Sequence, residues 1–464
     1  MGGLDYGRPC VGVSHSREWH LKDAADEFDI GEDVIYLNCA GRSPMPRSVQ
    51  EAGEQAVGLK RRPWLFEDSD AQANEVRGLA SRLFGGAKPE DVALCPSTSF
   101  AFTALARCVA PRVEEGSHVV VLEDEMSSSV LPLQELAAAR GAKVFVAPRP
   151  RDGDWTPALL RGDGGWRWDK VAVLSLPQAH WIDGSVVDLS AIADEVDRER
   201  TRRGDERGPP YLAVDATQSL GASALAVPAA RVDFVSASVH KWLLGPYGCS
   251  LFYAHPRHHR SYALVRDEHA LQGGASDAVL RFDPTRYSAA RSAVPYDAPL
   301  AGGARCFDGG GRPNPVILPM VRAGLELVLA WDVSNIDARL RELTGPHVRR
   351  LGERFDVPRC RAPGLFGVRP RGLGRSEADA WADAAAAALK HRAPPILVTG
   401  RFGAVRVGAH LYNSDDDLEA FVDALFAFDD DYHARRGYGR PAKPATKKRP
   451  RDADADSGDA SFRP

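Results

Sequence analysis

Residues 235–248 read VSASVHKWLLGPYG, and residues 211–218, upstream of them, read YLAVDATQ. Each run opens with the apolar residues of a short strand and closes with polar side chains. The upstream strand delivers Asp215 to its carboxyl end, and the downstream strand delivers Lys241. Because ligands of open α/β sheets gather at the carboxyl ends of the strands, the two runs predict a ligand site built around Lys241.

This pair of residues indicates a particular cofactor. A lysine at such a position can form a Schiff base, and a nearby aspartate can hold a protonated pyridine nitrogen. Gln218 adds a neutral donor suited to a phenolic oxygen. We therefore expect pyridoxal 5'-phosphate (PLP). Without a ligand, Lys241 would be an ordinary surface lysine and Asp215 would bond local backbone groups. The apolar residues before Lys241 and the glycine-rich segment after it argue against a surface lysine.

A third run offers a phosphate site. Residues 96–103 read PSTSFAFT, follow an apolar strand and open a helix. Hydroxyl groups and free backbone N–H groups at a helix N-terminus attract anions, although serine and threonine are also ordinary helix caps. Since Lys241 and Asp215 are present, we favour phosphate binding by Thr98 and Ser99. Two more side chains within reach of the phosphate are those of Ser238 and His240.

Composition narrows the class of protein. The chain has 464 residues, of which 44% are hydrophobic and 26% are charged, as in soluble globular proteins with two domains. The net charge of -4 gives no bulk attraction to nucleic acid or to an anionic membrane. No apolar run approaches the roughly 18 residues that span a bilayer, and the N-terminus lacks the features of a secretory signal. Seven scattered cysteines without a CxxC spacing favour a reducing, cytoplasmic location and no metal site.

Periodicity predicts an α/β fold. Short β-branched runs alternate with helical stretches from about residue 92 to 254, which is typical of a parallel sheet covered on both faces. The charged residues 198–208 (RERTRRGDERG) are expected to form a solvated helix end and loop. Residues 376–379 resemble a capping box that opens an alanine-rich helix. We predict an N-terminal extension (1–30), a large α/β domain (31–300), a smaller α+β domain (301–433) and a disordered tail (434–464).

The motifs resemble those of a known family. Asp-x-x-Gln followed by Ser-x-His-Lys-x(3)-Gly-Pro-x-Gly is similar to the class V aminotransferases of PLP fold type I, which include cysteine desulfurases and isopenicillin N epimerase-like proteins. The likeness spans roughly residues 33–428. It implies a mainly parallel, seven-stranded sheet in the large domain, a homodimer and an amino-acid substrate.

The resemblance also implies roles for individual residues. Lys241 would carry the Schiff base, Asp215 would pair with the ring nitrogen and Gln218 would bond the ring oxygen. Residues 406–413 read RVGAHLYN, which places Arg406 where the family binds the substrate carboxylate. Further candidates are Asn38 and Ala40 beside the substrate, Met126 against the ring, and His180 as an acid or base, although a packed loop histidine is as plausible for the last.

One family requirement is unmet. Cysteine desulfurases need a nucleophilic cysteine on a loop shortly before the carboxylate-binding arginine, and residues 392–406 contain none. Cys360 lies between two arginines, a setting that lowers a thiol pKa, but it comes too early by the family's spacing. We therefore expect no persulfide chemistry.

The reaction stays open at this point. Transamination and β-elimination lyase chemistry are favoured, with epimerase or desulfurase-like activity as alternatives. A catalytically silent scaffold of the same fold is the alternative from another class. Lys447–Arg451 resembles a nuclear import signal, but a solubilising tail is the preferred interpretation.

Overall fold

The computed structural model describes residues 20–65, 69–259, 302–311 and 313–436. The strands are β1 (Ile35–Tyr36), β2 (Val92–Cys95), β3 (His118–Leu122), β4 (Lys143–Ala147), β5 (Val171–Pro177), β6 (Tyr211–Asp215), β7 (Phe234–Ser238), β8 (Ser250–Ala254), β9 (Leu365–Val368), β10 (Ile396–Leu397), β11 (Thr399–Arg401) and β12 (Ala404–Gly408). The α-helices are α1 (Arg47–Leu59), α2 (Ser69–Leu83), α3 (Thr98–Val109), α4 (Ser127–Arg140), α5 (Trp155–Arg161), α6 (Leu189–Arg203), α7 (Val227–Ala230), α8 (Ile317–Trp331), α9 (Val333–Leu351), α10 (Arg375–Lys390) and α11 (Asp415–Arg436).

The main sheet has seven strands in the order β2-β8-β7-β6-β5-β3-β4. Strand β8 runs antiparallel to both its neighbours, and the other pairings are parallel. The predicted mainly parallel, seven-stranded α/β sheet is therefore confirmed. The parallel strands β5, β6 and β7 end at one edge, which is where the polar residues of the two opening runs come together.

Both faces of this sheet are buried, as the continuous apolar runs predicted. Along β6, Leu212 and Val214 pack into one hydrophobic cluster, while Tyr211 and Ala213 pack into the other. This alternation follows from the period of two along a strand. Helices α1, α2 and α8 contribute to the first cluster, and α3 and α4 to the second. The sheet is thus held rigidly beneath the site.

A smaller α+β unit stands beside the main sheet. Its antiparallel sheet has the order β11-β12-β9, and its core contains Trp381 of α10 and Phe421 of α11. The start of the chain joins it, because β1 pairs in parallel with β10 and Leu37 lies in the same core. This pairing brings residues 38–41 next to Arg406, which lies on β12.

The packing places two boundaries differently from the sequence prediction. Ala304 and Phe307 belong to the core of the main sheet and α8 packs on α1 and α2, so the small unit does not begin near 301. Its core begins within α9, at Leu343. Phe28, expected in a separate extension, is buried against Trp331 and Tyr412. The domain to which a segment belongs depends on the core against which it packs, and the order of segments along the chain does not show this.

One local prediction was wrong and another was incomplete. Helix α10 begins at Arg375 after Gly374 and has no side-chain cap, so Ser376 lies inside the helix instead of capping it. Residues 198–208 do form a helix end and a loop with mostly exposed residues, as expected, but Arg200 within them is buried and donates to Asp233. The predicted disordered tail and the basic run Lys447–Arg451 lie outside the described residues, apart from the last turn of α11. In the part of the chain that the structure describes, no helix is both long and apolar enough to cross a membrane.

Candidate active site

A cavity of about 200 Å³ lies at the carboxyl ends of the central strands. Asp215 ends β6, Ser238 ends β7, and Lys241 follows in the turn that leads back to β8. The predicted residues that line this cavity are Thr98, Ser99, Met126, Asp215, Gln218, Ser238, His240 and Lys241. Residues that were distant in sequence therefore share one pocket, as the strand-end argument predicted.

One end of the pocket is rich in hydroxyl groups. Thr98 Oγ1 lies 2.9 Å from Ser238 Oγ and 3.2 Å from Ser250 Oγ, and Ser236 Oγ lies 3.1 Å from Ser250 Oγ. Helix α3 begins at Thr98, and its cap, Ser97, accepts a hydrogen bond from Phe100 N. Hydroxyl donors beside a helix N-terminus fit a phosphate group.

The wall of the pocket also carries two carboxyl groups, those of Asp215 and Glu125. Asp215 accepts a hydrogen bond from Thr217 N at 2.9 Å, and among the described residues it forms no ion pair with a basic side chain. Burial raises its pKa, against hydrogen bonds from Thr217 and the attraction of Lys241. Burial likewise raises the pKa of Glu125 to about 8, and Glu125 Oε2 is enclosed without a hydrogen-bond partner. A buried carboxylate without a cation is costly, so this wall suits a ligand with a protonated nitrogen.

Lys241 is a buried lining residue of the same pocket, and burial makes its amine easier to deprotonate. Burial lowers its pKa to about 8, and the positive charge of Arg406 lowers it too. Asp215 and Cys39 act in the opposite direction. Because an amine must be neutral to act as a nucleophile or a base, this environment prepares Lys241 for both roles near neutral pH.

Gln218 is held by two neighbours. Its Nε2 donates to Ala40 O at 3.0 Å, and its Oε1 accepts from Trp242 Nε1 at 3.1 Å. The second N–H of the Gln218 amide stays available to a ligand oxygen in the pocket. The contact also fixes Ala40 beside the pocket, although Ala40 does not line it.

Arg406 lies next to the pocket and is nearly fully buried. Its Nη1 donates to Trp181 O at 3.3 Å and its Nη2 to Thr399 Oγ1 at 3.4 Å, while Nε is enclosed without an acceptor. Thr399 Oγ1 in turn donates to Asn38 Oδ1 at 2.8 Å. Burial lowers the Arg406 pKa to about 10. A buried guanidinium with long bonds and a spare N–H is suited to a carboxylate ligand.

His180 does not contact the pocket. Its ring stacks on Trp155 at 5.4 Å, and Nε2 lies 3.1 Å from Glu123 O. Burial lowers its pKa to about 3, so the ring stays neutral. The structure thus contradicts an acid or base role for His180. Its neighbour Trp181 lines the pocket instead and lies under the Arg406 guanidinium, with 5.6 Å between the guanidinium carbon and the ring centroid.

His240 and Met126 take the predicted positions at the pocket wall. The His240 ring stacks on Tyr247 at 4.2 Å, and burial together with Lys241 lowers its pKa to about 4. A neutral His240 donates one hydrogen bond without adding charge. Sequence reasoning missed Trp181 and Glu125. Glu125 comes shortly after the apolar strand β3, much as Asp215 ends the apolar strand β6. The same pattern of a carboxylate at the end of an apolar strand could therefore have identified Glu125.

The fold and these side chains define a site for PLP, because hydroxyl groups at a helix N-terminus, an aspartate whose pKa burial raises and a buried lysine line one pocket. A family model for the class V aminotransferases matches residues 35–421. The chain belongs to the class V aminotransferase family and is a PLP-dependent enzyme.

Individual relatives agree with this assignment. The chain is 24% identical over 417 residues to a probable cysteine desulfurase of Xylella fastidiosa, covering 85% of this chain and 91% of that protein. The fold matches the cysteine desulfurase CsdA of Escherichia coli with a TM-score of 0.68 and 18% identity, covering 89% and 99% of the two chains. It also matches a cystine C-S lyase in complex with cysteine persulfide, with a TM-score of 0.65, 17% identity and coverage of 84% and 97%.

Proposed function

We propose that this enzyme is a PLP-dependent lyase that breaks the carbon–sulfur bond of a cysteine-type amino acid by β-elimination. The products are a thiol, pyruvate and ammonia, with one water consumed. The observation that carries the proposal is that Lys241, with its lowered pKa, shares one pocket with the hydroxyl groups and with Asp215, and that Arg406 lies beside this pocket. The names of the relatives, cysteine desulfurase and cystine C-S lyase, support a sulfur-containing substrate.

Each group has a proposed role. When bound, PLP withdraws electrons from the bonds at the substrate Cα. Thr98, Ser99, Ser238 and His240 hold the phosphate, and Asp215 stabilises the positive charge of the ring nitrogen.

Arg406 binds the substrate carboxylate, held in place by Trp181 O and Thr399. Lys241, with its lowered pKa, removes the proton from Cα once the substrate amine has replaced it. The β-sulfur then leaves as a thiol, and water hydrolyses the released enamine to pyruvate and ammonia, so no second protein nucleophile is needed.

Elimination is favoured over persulfide transfer because neither nearby thiol suits the transfer. Cys39 is buried close to Lys241 and Arg406, and burial raises its pKa to about 12, so it stays a thiol at neutral pH. Cys360 is exposed but does not line the pocket. Only a thiolate attacks sulfur efficiently.

The test is product analysis on the PLP-loaded enzyme. L-cystine and L-cysteine should yield pyruvate, ammonia and a sulfur product in equal amounts, and Lys241→Ala should abolish all three. Cys39→Ser and Cys360→Ser should retain most of the rate.

Other outcomes would overturn the proposal in distinct ways. Sulfur release that vanishes in either cysteine variant would indicate a desulfurase. Transfer of the amino group to an added 2-oxo acid, without ammonia, would indicate a transaminase. Protein that binds no PLP, as judged by visible absorbance, would indicate a silent scaffold. The homodimer implied by the family resemblance stays a prediction, checked by light scattering of the loaded enzyme.

A further inference from the structure

A second and larger cavity, of about 1260 Å³, opens between residues 148–163 and residues 341–371. We name it the arginine groove. Nine arginines and four aspartates line it, an excess of five positive charges on a chain whose net charge is -4. It shares no lining residue with the Lys241 pocket.

Three of the four aspartates of the groove are already paired with arginines, and the fourth, Asp152, accepts from Asp154 N. Arg149 pairs with Asp183, Arg161 Nη2 lies 2.6 Å from Asp163, and Arg371 Nε lies 3.0 Å from Asp356. In the described parts of the chain, three exposed arginines of the groove form no ion pair with a carboxylate, namely Arg151, Arg349 and Arg359, and the partly buried Arg361 donates to the backbone carbonyls of Ala362 and Pro363. Much of the positive charge is therefore left without internal compensation.

The inner part of the groove contains donors that lack acceptors. Arg149 Nη1 and two nitrogens of Arg369, Nε and Nη2, are enclosed and have no hydrogen-bond partner. Burial and the neighbouring charge of Arg369 lower the pKa of Arg149 to about 9. Burial and the charge of Arg341 lower the pKa of Arg361 to about 10. Crowded, partly desolvated guanidinium groups gain most from an anion that accepts several hydrogen bonds at once.

We propose that the arginine groove binds a phosphorylated small molecule with more than one phosphate charge. Phosphate oxygens match the planar fork of the guanidinium group, and a multiply charged ligand uses several arginines together. The volume is closer to that of small-molecule sites than to the flat, extended surface that a protein partner needs.

The experiment measures binding of inorganic triphosphate to the full-length, PLP-loaded protein by calorimetry at two salt concentrations. The variant replaces the three unpaired groove arginines together, Arg151→Gln, Arg349→Gln and Arg359→Gln. These side chains are exposed and unpaired, so the fold should survive, as checked by PLP absorbance and circular dichroism. We expect binding to weaken by at least about tenfold, since each removed contact is a charge-assisted hydrogen bond.

Arg392→Gln is the matched control, because Arg392 is exposed and lies outside the groove. It should bind triphosphate as the parent does. The proposal is overturned if millimolar triphosphate does not bind, or if the control weakens binding as much as the triple variant, which would indicate diffuse attraction. It is also overturned if polyglutamate binds more tightly than triphosphate, which would identify the groove as a site for an acidic protein segment.

Discussion

Asp215 and Asp233 are two buried aspartates of the same central sheet, at opposite ends of neighbouring strands. Asp215 ends β6 at the carboxyl edge, whereas Asp233 directly precedes β7 at the amino edge. Asp233 accepts hydrogen bonds from Arg200 Nη2 at 2.7 Å, from His258 Nε2 at 2.7 Å and from Arg257. These partners hold the Asp233 pKa well below its usual range despite burial. Asp215 has no such partner, and burial raises its pKa.

The difference separates a structural carboxylate from a functional one. Two arginines satisfy Asp233, which therefore joins α6 and the segment after β8 to the sheet. Asp215 keeps an uncompensated charge at the edge where PLP binds, and a cationic ring nitrogen removes that cost. Both aspartates are buried, so the difference in their pKa shifts comes from the neighbouring charges.

The largest effect on stability should come from removing the charge of Asp233, which Arg200, Arg257 and His258 contact at the amino edge of the sheet. Asp233→Asn removes the countercharge of Arg257 and leaves the buried Arg200 with only the partly exposed Asp197, at 3.4 Å, so we expect a loss of about 3–5 kcal/mol in the free energy of unfolding. Urea unfolding of the PLP-loaded protein measures it. Activity per folded, PLP-bound molecule should stay within about twofold, given the usual independence of distant sites. A stable but inactive Asp233→Asn protein would contradict the assignment.

The pH dependence of this loss has a defined sign. The Asp233 pKa is lower in the folded chain than in the unfolded chain, where it is about 3.9. Its contribution is therefore fully present above that pH and declines as the pH falls below it. Consequently the gap in stability between the parent and Asp233→Asn should narrow below about pH 4. A gap that widens on acidification would refute the ion-pair explanation.

The corresponding substitution at the carboxyl edge, Asp215→Asn, should lower the catalytic rate and leave stability intact. Asp215→Asn keeps an acceptor for Thr217 N but removes the charge that stabilises the ring nitrogen, so we expect a roughly 10²–10³-fold loss of kcat. The apo protein should be no less stable than the parent, because the raised pKa of Asp215 means that its charged form is costly in the fold. Steady-state kinetics and urea unfolding together test this. Full activity in Asp215→Asn would remove Asp215 from the mechanism.

The sequence predicted one of these aspartates and missed the other for physical reasons. Asp215 follows an apolar run and precedes polar residues that face the same edge, a local pattern. The partners of Asp233 lie far away in the chain, and Arg200 falls within a charged stretch that resembled a solvated loop. The sequence also could not show which side chains of a loop point into the pocket. In residues 180–184, stacking on Trp155 turns His180 away from the pocket and leaves Trp181 to line it.

The smallest predicted effect concerns the rate at which PLP attaches to the apo protein. Only neutral Lys241 reacts, and its pKa of about 8 implies that the rate rises about tenfold between pH 7 and 9. Asp215 raises this pKa and Arg406 lowers it, so the midpoint should move to lower pH in Asp215→Asn and to higher pH in Arg406→Gln. Asp233→Asn should leave the midpoint in place, because its charge is already matched at the far edge. Stopped-flow absorbance across pH measures all four proteins. A midpoint near 10 in the parent, the value of a solvated lysine, would show that the pocket does not prepare Lys241.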